Sequence, residues 1–254
     1  VAGSRVIWRS MSRGRTRSCM CCMRCRWDTM RCVQTLQDAD FGLVLDVDYR
    51  NLPYVVIDKS AGNEDFAGID LSDPTQYDAY VHRRMEAAGA SFAVGEYNEK
   101  RVIYDHSDLF AGPERRTIHV GMDLHFPRGT SVIAPMDGWV HSIADNQGVG
   151  DYGPTIILAH EVDGVRFHTL YGHLLHDSLD QVHEGERVTR GQRIGWIGTY
   201  PHNGSWAEHL HFQIIRDMGG MHGDYPAVVR ESERAWYVEN CPDPNLILRI
   251  PGLR

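Results

Sequence analysis

From about residue 100 onward the chain is cut into short apolar runs by Gly, Pro, Asp and Asn, and this texture limits the possible fold more than any other feature. TSVIAP (130–135), GWVHSI (138–143), PTIILAH (154–160), VRFHTLYGH (165–173), RIGWIG (193–198) and HLHFQII (209–215) each have the length and composition of a strand. Many short strands at close spacing predict a mainly β fold, an antiparallel sandwich or barrel. The PMDG turn at 135–138 reads as a hairpin connection. Upstream, FGLVLDVDY (41–49) and LPYVVIDKS (52–60) read as further strands. One N-terminal helix is predicted after them. Ser72 or Asp73 can cap it, Pro74 suits its first turn, Gly89 suits its stop, and Tyr77, Tyr80, Val81 and Met85 fall on one packing face. CPDPNLILRI (241–250) reads as a tail docked by its Leu and Ile side chains. Four segments are therefore expected: 1–32 a disordered Arg/Cys-rich extension, 33–99 a linker or helical subregion, 100–216 the β domain, and 217–254 a docked tail, the two ends being irregular.

Composition narrows the function classes. No stretch approaches the ~20 apolar residues that span a bilayer, so a membrane span is not expected. The net charge of −8 conceals an asymmetry, because residues 1–32 carry eight Arg against Asp28 alone, leaving the body acidic and a poor nucleic-acid binder. Cys19, Cys21, Cys22, Cys25 and Cys32 lie in that first segment and Cys241 near the other end, so the main domain has no disulfide framework. Cys22-x-x-Cys25 is the sole support for a small metal site there, since a zinc finger normally offers two separated ligand pairs. Arg interrupts every apolar run in 1–32, so no secretory signal is visible and the expected location is the cytoplasm, or outside the cell for a truncated secreted protein.

Three short motifs carry the chemistry. HLHF comes first: on a strand, residues two apart share a face, so His209 and His211 project together while Leu210 and Phe212 face the core. Such a pair can bind one metal, or one ring can bind while the other moves protons. In HVGMD, His119 and Asp123 share a face of an extended chain, and a carboxylate beside a His is an ordinary zinc pair. Gly121 between them allows close packing or curvature. His125 has the same parity and reads as a supporting or solvent-facing residue. In YGHL, His173 follows an apolar strand, with His168 its competitor. His141, His160, His176, His183, His202 and His222 show no comparable spacing and read as structural or solvated.

HxxxD, a YxHL-type motif and HLHF, in this order, resemble the lysostaphin/LytM-type zinc metalloendopeptidases. GMDLHFPRGTSVIAPMDGWV (121–140) looks like that family's strand–turn–strand entry, and VTRGQRIGWIG (188–198) resembles its later Gly-rich hairpin. The resemblance covers roughly 100–216. It implies an antiparallel β structure of the duplicated hybrid motif type that hydrolyses peptide cross-links in peptidoglycan. It also implies a Zn2+ held by His119, Asp123 and His211, with His173 and His209 as unligated catalytic histidines. Zinc chemistry would activate a water, and Trp206 and Tyr171 are candidates to line the groove. Glu208 stands where a Pro commonly precedes the His, and the tail beyond 216 exceeds a minimal domain. The long tail also resembles domains fused between kinase-like and aminotransferase modules.

Other classes remain open on the residues alone. A non-catalytic LytM-like binding or regulatory module would typically lose ligands, and this chain keeps all five residues. A phosphotransfer domain could use paired histidines but gives Asp123 no ligand role. A module of a larger metabolic fusion protein is the third.

Overall fold

The structure, a computed structural model, describes residues 20–253. In chain order its elements are helix α1 (Met20–Asp38), strand β1 (Tyr54–Val56), helix α2 (Pro74–Ala88), and strands β2 (Phe92–Gly95), β3 (Glu99–Lys100), β4 (Ile118–His119), β5 (Met122–His125), β6 (Ser131–Ile133), β7 (Gly138–Asn146), β8 (Gly153–Val162), β9 (Val165–Gly172), β10 (Arg187–Val188), β11 (Arg193–Trp196), β12 (Leu210–Ile215) and β13 (Val228–Val229), followed by helices α3 (Arg234–Asn240) and α4 (Asn245–Leu248). The fold is mainly β. An eight-stranded sheet in the order β1-β2-β5-β12-β9-β8-β7-β10 dominates, beside a two-stranded sheet of β6 and β11 and a three-stranded sheet β13-β4-β3. All pairings are antiparallel except β1 with β2, and the large sheet is open rather than a closed barrel.

The central strands of the large sheet bury both faces. On β12, Leu210, Phe212 and Ile214 join the main core with Phe92, Leu124, Leu158 and Val132, while Ile215 joins a second core with Ile157, Leu170 and Cys241 on the opposite side. This is strand alternation with each face covered by other elements. His211 and Gln213 fall on the second face, which places the site there.

Several expectations need correction. PMDG does not close a hairpin: β6 pairs with β11 and β7 with β8 and β10, so the turn carries the chain from one sheet to another. The Gly-rich connection between β10 and β11 crosses back in the same way. A local turn signal cannot report which distant strand each arm will pair with. Residues 41–49 form no strand; Leu45 makes an isolated bridge to Val132, while Phe41, Val44, Leu45 and Tyr49 are buried as an irregular layer over the main core. The capped helix forms as expected: Asp73 accepts from Thr75 N, Pro74 opens the helix, and Gly89 stops it at φ 61°. It is not the first helix, because α1 starts inside the segment expected to be disordered and buries Cys32 and Leu36, four apart, in the main core. The remainder of that segment, Cys19 included, lies outside the described residues.

Two arginines fasten the ends. Arg249 donates to the carbonyls of Leu36, Gln37 and Ala39, where α1 runs out of intrahelical donors. Arg50 donates to the carbonyls of Phe41, Gly42, Ile247 and Leu248. Ile247, Leu248 and Ile250 are buried in the main core. No helix among the described residues is long and apolar enough to cross a membrane.

Candidate metal centre and peptidase site

Sheet register builds the site. Asp123 on β5 pairs with Gly95 on β2 and with His211 on β12, and His211 pairs with Gly172 on β9. One row across four strands therefore carries Asp123 and His211 side by side, with His173 immediately beyond Gly172. His119 and Asp123 do not share one continuous strand: β4 and β5 belong to different sheets, separated at Val120-Gly121. The bend still aims both side chains at one point. A Cβ on Gly121 would lie 2.3 Å from His211 Cε1, so only glycine leaves room for that ring.

Three donor atoms converge. His119 Nε2 lies 3.0 Å from His211 Nδ1, and each lies 3.3 Å from Asp123 Oδ1. The opposite nitrogen of each ring has its own acceptor: His119 Nδ1 faces Glu96 O at 3.3 Å, and His211 Nε2 faces Gln213 Oε1 at 3.0 Å. With N–H donated outward, both inward nitrogens carry lone pairs beside a carboxylate oxygen. Three acceptors this close repel unless an electrophile is shared between them. Their separations match the roughly 3.3 Å edge of a tetrahedron with metal–ligand bonds of about 2.0–2.1 Å. Two imidazoles and a carboxylate, each ring oriented by an acceptor behind it, fit a divalent cation of the zinc kind. Among the described residues, no other set of three such side chains brings its ligand atoms within 4.8 Å of one another.

Asp123 is held from behind by two cations that the motifs did not disclose. Its Oδ2 accepts from Lys59 Nζ at 2.7 Å and Arg101 Nη1 at 2.6 Å, all three side chains being buried. Arg101 also donates to Glu99 at 2.8 Å, closing an ion network of two positive and two negative charges. A Cβ on Gly95 would lie 2.5 Å from Lys59 Nζ, so glycine makes room for the network. Burial opposes the charged form of Asp123, but His119, Lys59 and Arg101 outweigh it and hold the carboxyl well below its usual range. Burial, with Arg101 adding to it, pushes the Lys59 ammonium down to about 8.

His209 and His173 flank the three. His209 Nε2 is 3.6 Å from Asp123 Oδ1, and the His173 and His209 rings are 4.4 Å apart. His209 Nδ1 donates to Ala207 O at 2.7 Å and His173 Nδ1 to Asn203 O at 2.8 Å, leaving each Nε2 as the acceptor. Burial, then the neighbouring His211, pushes His173 down to about 3, and burial holds His209 well below its ordinary value, so both are neutral near pH 7. His173 holds a left-handed backbone at φ 63°, a strained conformation for a non-glycine residue.

These five residues together line one cavity of about 660 Å³. Trp206 lines it, as do Tyr77, Tyr104 and Tyr152, while Tyr171 is buried in the main core against Phe212 and takes no part in the groove. His125 is buried rather than solvent-facing: its Nε2 lies 3.5 Å from Lys59 Nζ and its Nδ1 3.3 Å from Glu208 O. His168 lies away from the site, close to His141. Gln213, two residues beyond His211 on the same face, was reachable from strand periodicity; Lys59 and Arg101 carried no signal.

Residues 117–223 match the model of Peptidase family M23. Over these residues the chain is similar to Peptidase family M23. All five motif residues lie inside the matched segment, and Lys59 and Arg101 lie outside it. Two curated relatives match. One is an uncharacterized metalloprotease of Haemophilus influenzae, 36% identical over 96 residues, 38% of this chain and 18% of that protein. The other is the peptidoglycan DD-endopeptidase ShyA of Vibrio cholerae, 30% identical over 140 residues, 53% of this chain and 30% of that protein. The chain therefore spans less than a third of the length of either. The catalytic domain of the antimicrobial peptidase lysostaphin from Staphylococcus simulans is 27% identical, covering 50% of this chain and 85% of that one, with a TM-score of 0.32.

Proposed function

We propose that the protein is a zinc-dependent endopeptidase whose substrate is a peptide cross-link of peptidoglycan. The observation that carries the reading is the meeting of three lone pairs, from His119, His211 and Asp123, beside two neutral histidines in the wall of one cavity. A cation held there would supply Lewis acidity, lowering the pKa of a water towards ~7 and polarising a peptide carbonyl. The chain supplies the rest. His173 and His209, each with Nδ1–H fixed on a backbone carbonyl, present Nε2 as proton acceptors. One takes the proton of the attacking water and one returns a proton to the leaving amine. Lys59 and Arg101 hold Asp123 by its outer oxygen and keep its inner oxygen beside His119 and His211, the residues that would hold a cation with it. The five side chains are buried, so their mutual interactions are weakly screened. The substrate class rests on the likeness to ShyA, a peptidoglycan DD-endopeptidase.

The test is digestion of purified peptidoglycan by the zinc-loaded full chain, with products resolved by mass spectrometry, alongside a chelated sample and His211→Ala. The expected result is cleavage of cross-linked dimers into monomers that chelator and the substitution both abolish. Zinc-loaded protein that leaves both cross-links and model peptides intact would overturn the reading.

A further inference from the structure

A second group of histidines sits at the far end of the same sheet face. Strand β7 changes register against β8 between Val140 and Ser142, a β-bulge that re-aims His141. The His141 ring lies 5.0 Å from the His168 ring on β9 and 5.8 Å from the His222 ring in the loop after β12. Glu184 completes the group, with Oε2 3.4 Å from His222 Nε2. Nothing in the M23 motifs uses these four residues.

We propose that His141, His168, His222 and Glu184 form a second binding site for a divalent transition-metal ion, separate from the peptidase centre. Geometry is the first support. Two imidazoles on one tetrahedral ion, with ~2.05 Å bonds and ring centres about 1.2 Å beyond the ligating nitrogen, have centroids roughly 5.2 Å apart. The 5.0 and 5.8 Å separations fall near that value, as does the 4.9 Å between His119 and His211. The 3.4 Å between His222 and Glu184 is close to a ligand–ligand edge.

The second support is a polar atom without a good partner. His168 Nδ1 is one of two buried side-chain nitrogen or oxygen atoms, among the described residues, without a well-formed hydrogen bond, the Ile215 backbone being the polar group beside the ring. Burying such an atom without a good partner is unfavourable, and a metal bond would satisfy it. The third is anchoring from behind. Glu184 Oε1 accepts from Ile143 N at 3.0 Å, which holds the carboxylate beside the group. His141 Nδ1 is 2.8 Å from Ser142 Oγ, which leaves Nε2 as a ligand atom. Gly223 N donates to that same hydroxyl at 2.9 Å and its carbonyl accepts from Asn146 at 2.9 Å, so the backbone beside His222 is pinned to β7.

The four donors do not meet at one point as they stand. Closure asks for rotation of His222, whose side chain is 60% exposed, towards the carboxylate that Ile143 N holds in place. A set of imidazoles with one carboxylate suits Zn2+, Cu2+ or Ni2+ rather than Mg2+ or Ca2+. Occupancy would tie the loop bearing His222 to β7 and β9, and Asp224 to Val229 just beyond it line the peptidase cavity.

The experiment counts Zn2+. Metal-free full-length protein is titrated with Zn2+ alone and the bound equivalents are measured for the wild type, His211→Ala, His222→Ala, His168→Ala and the pair His211→Ala with His222→Ala. His222→Ala and His168→Ala are each expected to bind one equivalent fewer than the wild type, or to bind it at least about tenfold more weakly. His211→Ala should lose a different equivalent, so the paired substitution loses both. His222→Ala, on an exposed side chain, should keep its fold and its peptide cleavage. Wild-type stoichiometry and affinity in both His222→Ala and His168→Ala would overturn the second site and leave the peptidase reading intact. Loss of cleavage without loss of Zn2+ in His222→Ala would likewise overturn it.

Discussion

Gln213 Oε1 lies 3.0 Å from His211 Nε2, and that contact decides which nitrogen of the His211 ring faces Asp123. Gln213 is itself locked, its amide donating to Pro226 O at 3.2 Å and to Cys241 Sγ at 3.3 Å. Replacing it with Leu removes the acceptor while keeping bulk. The expected outcome is a 10–100-fold loss of zinc affinity in a competition titration. Gln213→Glu, which retains an acceptor, should recover most of that loss. Equal affinity in wild type and Gln213→Leu would show that the tautomer is set by something else.

Arg101 and Lys59 should matter unequally. The Arg101 guanidinium holds Asp123, Glu99 and the Glu96 carbonyl together, whereas the Lys59 ammonium donates to Asp123 and reaches Glu99 only through the backbone N–H, which a substitution keeps. Removing one partner of a buried ion pair costs about 3–5 kcal/mol because a charge is left uncompensated. Arg101→Met is expected to cost that much in urea unfolding of the metal-free protein. Lys59→Met should cost less, since Arg101 still faces Asp123. A larger loss for Lys59→Met would contradict the network described here.

How much of this was legible in the sequence depended on the range of the interaction. HLHF, with its period of two, places His209 and His211 on one face and Leu210 and Phe212 on the other, and each is determined by immediate neighbours. Asp73, Pro74 and Gly89 announce their helix for the same reason. The Lys59–Asp123 contact joins residues 64 apart, and nothing in VVIDKS distinguishes Lys59 from a solvated lysine at a strand end. PMDG misled because a turn signal is local while the pairing of β6 with β11 is not. The run at 41–49 has strand alternation, yet it lies flat as a cover on the main core, where the same apolar residues are buried without a ladder. His141, His168 and His222 have no mutual spacing at all, and only the folded sheet puts them together.

His173 and His209 should separate metal binding from turnover. Neither lies among the three converging donors, so His209→Ala and His173→Ala are expected to keep zinc near wild-type stoichiometry. Each should lose 10²–10⁴-fold in kcat, the usual scale for removing a general acid or base. Metal analysis and steady-state cleavage of a cross-linked peptide, run on the same preparations, test this. Zinc lost together with activity would make the residue a ligand instead.

His160 offers a test of the fold by pH. The ring is buried on β8, with Nδ1 3.0 Å from Asp137 O and Nε2 2.8 Å from Thr169 Oγ1, so the neutral imidazole is satisfied at both nitrogens. Burial is the main cause that pushes its pKa down to about 4. An unfolded histidine titrates near 6.5. Between those two values the unfolded chain binds the extra proton and the folded chain does not. The contribution of His160 is therefore fully present above about pH 6.5 and is lost as pH falls towards 4, at up to ~1.4 kcal/mol per pH unit. His119, His125 and His173, each pushed to about 3 mainly by burial, add to the same slope in metal-free protein. Metal-free His160→Gln should be less stable than wild type at pH 7, because it loses a fitted ring, yet the gap should narrow by pH 5. Urea midpoints at the two pH values measure it, and a gap that stays constant would mean that His160 is charged, or already solvated, in the folded state.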